Sequence, residues 1–219
     1  MNDAPEAVSP IDAGFFGIWL QRACAALRSN IGMDVPCGSC VGCCTSHYSI
    51  LLRPHDAALD IVPAAVLTGV SGVNYPHFKM NPRSDGTCPM FNEGRCSIYS
   101  ARPQTCLDYD CRIFAAANLT VSDDKPMIKQ RIRAWRFQYE SERAQLQHAA
   151  IRDAAAFMQS HAVLFPTGWL PSASAGLAVL AIKTHEVFMR PQHEDAAVTV
   201  TAMLEARRAF DTATVQQES

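Results

Sequence analysis

Eight of the nine cysteines fall into two groups whose spacing suits the holding of a soft metal ion. The first is Cys-x-x-Cys-x-x-Cys-Cys, formed by Cys37, Cys40, Cys43 and Cys44. Two intervening residues let thiolates on one tight turn converge on the same ion. Gly38 and Gly42 allow the backbone to fold closely and to aim amides at sulfur. The second group is Cys88, Cys96, Cys106 and Cys111. Leu107-Asp108-Tyr109-Asp110 separates its last two members by about one helical turn, so a helix there would present both on one side. Eight thiols suffice for two four-coordinate sites or for one polynuclear site. Thiolate-rich sites favour iron–sulfur clusters, zinc or cuprous copper. Three cysteines spaced two apart with a distant Cys88-Pro89 parallel the bacterial ferredoxin ligand run, although Cys88 lies much further away than in that run.

Metal-free readings compete with this one. Buried free cysteines can act as small hydrophobes, and packing is the expectation for Cys24, which lies beside an apolar helical stripe. An odd number of cysteines and the adjacent pair Cys43-Cys44 argue against a disulfide framework. The N-terminus, Met1-Asn2-Asp3-Ala4-Pro5-Glu6, is acidic where a secretory signal would be basic. The longest later apolar run, Ala173 to Ile182, is about half of the ~20 residues a spanning helix needs. The expectation is a soluble cytoplasmic protein, with no membrane partner, whose dense cysteines bind metal or serve redox chemistry.

The side chains around the cysteines sharpen the picture. Arg95, Arg102 and Arg112 adjoin them and are expected to contact the bound cofactor, offsetting the negative charge of a thiolate-ligated centre. Asp108 and Asp110 are expected on a solvated loop. His47, three residues beyond Cys44, could replace one cysteine as a ligand, although eight cysteines make that the lesser expectation, and His148 and His161 are expected as surface or packing residues. No Gly-x-Ser-x-Gly elbow, phosphate loop or dinucleotide fingerprint occurs.

In sequence order the motifs are Cys37-x-x-Cys40-x-x-Cys43-Cys44, Cys88-Pro89, Arg95-Cys96-Ser97-Ile98-Tyr99 and Arg102-Pro103-Gln104-Thr105-Cys106. This ordered set closely resembles the YkgJ-type cysteine-cluster family, described as zinc- or iron-chelating. The resemblance covers about residues 35 to 115, and Cys111 fits a branch with an additional cysteine after the Arg-Pro-x-x-Cys motif. Flagellin lysine methylases are similar over the same segment, where it accompanies an iron–sulfur cluster. That resemblance implies iron chemistry and does not transfer a methylation activity.

The elements that must position these residues follow from periodicity. The chain has 219 residues, 48% hydrophobic and 18% charged, with a net charge of −2. It can bury a sizeable core, is too apolar for disorder, and lacks the broad basic face of a nucleic-acid binder. An amphipathic helix is expected over 11–29, with Phe15, Ile18, Trp19, Ala23, Ala26 and Leu27 as its apolar stripe. A short strand is expected over 49–52 and a helix from Pro54 towards Gly69. Loop should follow over 70–86, then a hairpin turning at Asn92-Glu93-Gly94. One long helix is expected from Pro126, with Ile128, Ile132, Trp135, Tyr139, Leu146, Ala150, Ala154 and Phe157 buried, and two more over 172–190 and 194–210.

The expected fold is therefore mainly α with a small β-hairpin, an irregular cysteine-rich metal-binding knuckle wrapped by C-terminal helices. Residues 1–115 would hold the N-terminal helix and the cysteine cluster, and 116–219 a helical region packed on them as one domain. The functional expectation is a metal-binding protein holding an iron–sulfur cluster or iron, redox-active or modifying a peptide or small molecule, with a peptide or protein partner. The alternatives are a non-enzymatic interaction module built on structural zinc, and a metal-delivery protein with labile thiolates.

Overall fold

The computed structural model describes residues 9–29, 31–33, 35–70, 77–189 and 195–215. Among these residues the fold is mainly α with three small sheets. In chain order come β1 (Ile11–Phe15), α1 (Phe16–Arg28), β2 (Ile50–Leu52), β3 (Leu67–Val70), β4 (His77–Met80), β5 (Phe91–Asn92) and β6 (Arg95–Cys96). Then follow α2 (Gln104–Asp108), α3 (Arg112–Ala116), α4 (Pro126–Ala134), β7 (Trp135–Gln138), α5 (Glu142–Ser160), α6 (Ser174–Thr184) and α7 (Ala196–Val215).

The chain divides into two compact units, interleaved along the sequence. A cysteine unit comprises Asn30–Asp110 and Asp123–Ile128, and a helical unit comprises Met1–Ser29, Cys111–Ser122 and Lys129–Ser219.

In the cysteine unit, β2, β4 and β3 form an antiparallel sheet with β4 in the centre. Its inner face supplies Leu52 and Met80 to a core completed by Ala58, Val62 and Ile98, and Cys88, Met90 and Cys96 pack against that core. The hairpin β5–β6 pairs Phe91 with Cys96 and Asn92 with Arg95. Glu93 and Gly94 between them both have positive φ, 48° and 75°, the backbone a two-residue hairpin turn requires. The hairpin thus turns where the sequence places it.

In the helical unit, β1 and β7 pair in parallel, Ile11 opposite Trp135 and Phe15 opposite Gln138. Helices α1, α5, α6 and α7 bury Phe16, Trp19, Ile151, Met158, Ile182 and Met203. Ser141 caps α5, its hydroxyl accepting from Ala144 N at 3.2 Å.

Several local expectations are corrected. The first helix begins at Phe16, because residues 11–15 are drawn into β1 by a partner more than a hundred positions away. Its buried stripe is accordingly Phe16, Trp19, Leu20 and Ala23, while Phe15 and Ile18 are 45% and 47% exposed. The long helix from Pro126 is interrupted by β7 and restarts at Glu142, which leaves Tyr139 and Leu146 exposed. Residues 54–69 form two 3-10 turns and the start of β3 instead of an α-helix. Strand β4 occupies part of the expected 70–86 loop, of which 71–76 lie outside the described residues. Helix α2 stops at Asp108, where Tyr109 turns to extended backbone (φ −78°, ψ 112°), so no single helical face joins Cys106 to Cys111.

Candidate metal centre

The first cysteine group lies on an irregular turn. Cys40 N donates to Cys37 O at 3.0 Å and Cys44 N to Val41 O at 2.9 Å, so the chain folds back every three residues and runs into a 3-10 turn over Gly42–Thr45. Ser46 and Thr45 turn their hydroxyls back to carbonyls of Gly42 and Val41, tightening that turn. Gly42 is buried: a Cβ there would press on the Ile128 side chain at 3.2 Å and on nearby backbone, so only glycine lets the turn approach α4 this closely.

The second group is brought to the first by backbone. Cys88 N donates to Cys44 O at 2.7 Å, and His47 N to Gly86 O at 3.0 Å, a two-point clamp between the segments. His47 takes a left-handed φ of 58°, and its ring lies over Gly86 where any Cβ would overlap it. Arg83 staples the segment carrying Cys88, donating to Pro89 O at 2.7 Å and Phe91 O at 2.9 Å. Phe91 N in turn donates to Cys88 O at 2.9 Å, closing the turn on which Cys88 sits.

These connections place thiol against thiol. The Cys44 sulfur is hydrogen-bonded to both Cys43 and Cys96, and the Cys88 and Cys106 thiols lie within electrostatic reach of Cys43 and Cys96. Backbone amides are aimed at sulfur: Met90 N–H at Cys88 and Ile98 N–H at Cys96, each two residues beyond its cysteine. Hydrogen bonds of that kind stabilise thiolate over thiol.

The electrostatics separate the thiols into two classes. Cys96 is lowered to about 6 and Cys43 to about 7, in both cases chiefly by the hydrogen bond from Cys44, against the opposing effect of burial. The Arg102 guanidinium assists both. Cys44 is pushed far upward because its proton bridges two neighbouring sulfurs. Burial raises Cys88, and burial together with the surrounding cysteines raises Cys106 to about 12, with Arg102 again opposing. The metal-free cluster therefore holds partial negative charge shared through sulfur-bound protons, the state that a soft cation displaces on binding.

The donor set fits such a cation in chemistry: clustered sulfur, amides directed at it, and a nearby guanidinium. Among the described residues, no three Cys, His, Asp or Glu side chains converge on one point in ion-binding geometry. Ligation would therefore require these side chains to rearrange, giving up their sulfur–sulfur hydrogen bonds.

The residues singled out from the sequence are distributed as follows. Cys43, Cys44, Cys88, Cys96 and Cys106 are brought together, and Cys37 and Cys40 stand on the turn leading into them. Cys111 belongs to the helical unit, buried at the start of α3, where its Sγ accepts from the Trp135 indole N–H at 3.2 Å. Arg102 borders the thiols and lies over the Tyr99 ring at 3.7 Å. Arg95 is exposed on β6. Arg112 is in the helical unit, donating to Ala13 O at 3.3 Å and facing the Trp135 ring at 6.0 Å. Asp108 is exposed and paired with Arg53, whereas Asp110 is buried, contrary to the expected solvated loop. Cys24 is half-buried on α1, and burial raises it, in keeping with a packing role. Sequence reasoning missed Arg83, whose bonds run to backbone carbonyls and leave no motif.

Residues 36–124, less than half of the chain, match the CxxCxxCC family, whose description reads "Putative zinc- or iron-chelating domain". No curated protein and no solved structure matches the chain. Over residues 36–124 the cysteine-rich segment is thus similar to the CxxCxxCC family, which is consistent with the YkgJ-type resemblance of its motifs.

Proposed function

We propose that the cysteine unit binds iron, as a thiolate-ligated ion or an iron–sulfur cluster, through Cys37, Cys40, Cys43, Cys44, Cys88, Cys96 and Cys106. Cys111, the eighth cysteine of the sequence reading, belongs to the helical unit, and the proposal rests on the other seven. The observation that carries it is the thiol chain Cys43–Cys44–Cys96 with Cys88 and Cys106 in electrostatic reach. Five clustered thiols exceed the four that one tetrahedral ion takes. Arg102 offsets the negative charge of a thiolate-bound centre, as the lowering of Cys43 and Cys96 indicates. An iron centre here would serve electron transfer, or the modification of a peptide or small molecule, in a reducing compartment such as the cytoplasm.

A second reading, structural zinc, is favoured by one observation. Cys44 is hydrogen-bonded to both Cys43 and Cys96, which brings three sulfurs of a four-ligand zinc set into one neighbourhood. The two readings separate on anaerobically purified protein. Brown colour, broad visible absorption and stoichiometric acid-labile sulfide support the cluster. Iron without sulfide supports the thiolate-ligated ion, and a colourless preparation with stoichiometric zinc replaces iron by the structural reading.

A further inference from the structure

Helix α2 carries Cys106 and has five residues, too few to be stable by itself. Its N-cap residue is Pro103, which provides no side-chain acceptor for the orphaned amides of the first turn. The acceptor comes from 48 positions earlier: Asp56 Oδ1 accepts from Gln104 N at 2.8 Å. The other oxygen of the same carboxylate, Oδ2, accepts from Arg53 N at 2.6 Å. One half-buried side chain thus ties the loop after β2 to the start of α2.

Strand β2 and the same loop grip α2 further along. Thr105 Oγ1 donates to Leu51 O at 2.7 Å, and Arg53 Nη2 meets Asp108 Oδ2 at 2.9 Å, while Gln104 Nε2 donates to Asp108 Oδ1 at 2.7 Å. The Arg53–Asp108 pair is about one-third exposed on each side and contributes little by itself. Hydrogen bonds from amides to an ionised carboxylate are the stronger kind, and one of these two meets the positive end of the helix. The hold on α2 therefore concentrates in Asp56.

We propose that Asp56 is a positioning residue for the thiolate centre: its carboxylate fixes α2, and through it the place of Cys106 relative to Cys43, Cys88 and Cys96. This rests on the metal-binding reading above. Metal–sulfur bonds tolerate displacements of only about 0.2 Å, so a helix free to fray by an ångström no longer delivers its thiol.

The test uses the full chain loaded with cobalt(II), whose sulfur-to-metal charge-transfer absorption reports thiolate ligation. D56A binds cobalt about ten- to a hundredfold more weakly than wild type, as loss of an orienting group does. Its charge-transfer intensity falls to that of Cys106→Ser. D56N, which keeps one acceptor oxygen, lies between D56A and wild type.

A second measurement needs no metal and covers a D56A that does not fold. In metal-free D56N, the Arg53 and Gln104 amides compete for a single oxygen. Iodoacetamide then alkylates Cys106 several-fold faster than in wild type, while Cys24 in the helical unit reacts at the wild-type rate. Wild-type affinity and spectrum in D56A, or an unchanged Cys106 alkylation rate in D56N, overturns the proposal. A wild-type cobalt spectrum in Cys106→Ser also overturns it while leaving the thiolate reading intact. Absence of any charge-transfer band in wild type overturns both.

Discussion

Cys44 is the junction of the thiol cluster: its proton bridges Cys43 and Cys96, and its carbonyl receives the Cys88 amide at 2.7 Å. Replacing that sulfur by oxygen removes a soft donor and leaves a hydroxyl that soft metals bind poorly. Cys44→Ser is therefore expected to purify with less than half the wild-type metal content, whereas Cys24→Ser on α1 retains it. Metal analysis of the two proteins side by side checks this, and equal metal in both sinks the assignment. Gly86 is the second sensitive residue. Its φ of +84° strains any L side chain, and a Cβ would overlap the His47 ring. Gly86→Ala is expected to cost about 2 kcal/mol or more in stability, through backbone strain and displacement of that ring. Denaturant unfolding measures the loss, and a change below about 0.5 kcal/mol, the scale of an ordinary surface substitution, would show that the clamp yields freely. Much of this site is legible in sequence because cysteine is chemically distinctive and its spacing survives folding. Arg83 and Asp56 are not legible, since an arginine bonded to carbonyls or an aspartate bonded to distant amides looks like any surface charge until the chain is folded.

At the scale of elements, legibility follows how local the determining interaction is. The β5–β6 turn is written in three adjacent residues, Asn92-Glu93-Gly94, and forms where they stand. Strands β1 and β7 are each decided by the other, across more than a hundred positions. Trp135 and Tyr139 are four apart and so suit a helix, while Trp135, Phe137 and Tyr139 alternate and suit a strand. Pairing with β1 selects the second pattern and closes an aromatic cluster in which Phe137 meets Phe16 edge-on at 5.0 Å and Trp19 at 4.9 Å. Once β7 has ended, α5 needs a fresh start, and Ser141 provides it by accepting from Ala144 N. Ser141→Ala leaves that amide without its cap and is expected to destabilise the helical unit by about 1 kcal/mol. Thermal unfolding followed by circular dichroism reads this as a lower midpoint, and Ser141→Asp, which restores an acceptor, should recover it. An unchanged midpoint in the alanine variant would mean that packing alone sets where α5 begins.

At the scale of the whole molecule, most of the cysteines and all of the tryptophans lie in different units. Seven of the nine cysteines lie in the cysteine unit, and all three tryptophans, Trp19, Trp135 and Trp169, lie in the helical unit. In metal-free protein, tryptophan fluorescence therefore reports on the helical unit. A buried histidine is expected to contribute to the pH response of that unit. His148 is 3% exposed, stacked on Phe16 at 4.3 Å, with its Nδ1 2.7 Å from the Tyr139 hydroxyl. Burial first and Arg152 second lower it to about 4, and the Ala115 and Ala116 carbonyls recover only part of that shift. The unfolded chain takes up a proton near the ordinary histidine value of about 6.5. Between those values the unfolded state binds more protons than the folded one, so stability is fully present above about 6.5 and drains away as pH falls towards 4. The loss from His148 reaches about 3 kcal/mol, and His185, also lowered by burial, acts in the same direction. Urea titrations monitored by tryptophan emission at pH 7, 5.5 and 4.5 should show midpoints that descend with pH. His148→Phe keeps the ring stack and removes the titrating nitrogen, so its midpoint should descend less steeply, with His185 supplying the remaining slope. If the variant and wild type lose stability in parallel, the acid sensitivity of the helical unit originates elsewhere, and the buried His148 ring is a packing group without a role in the proton balance.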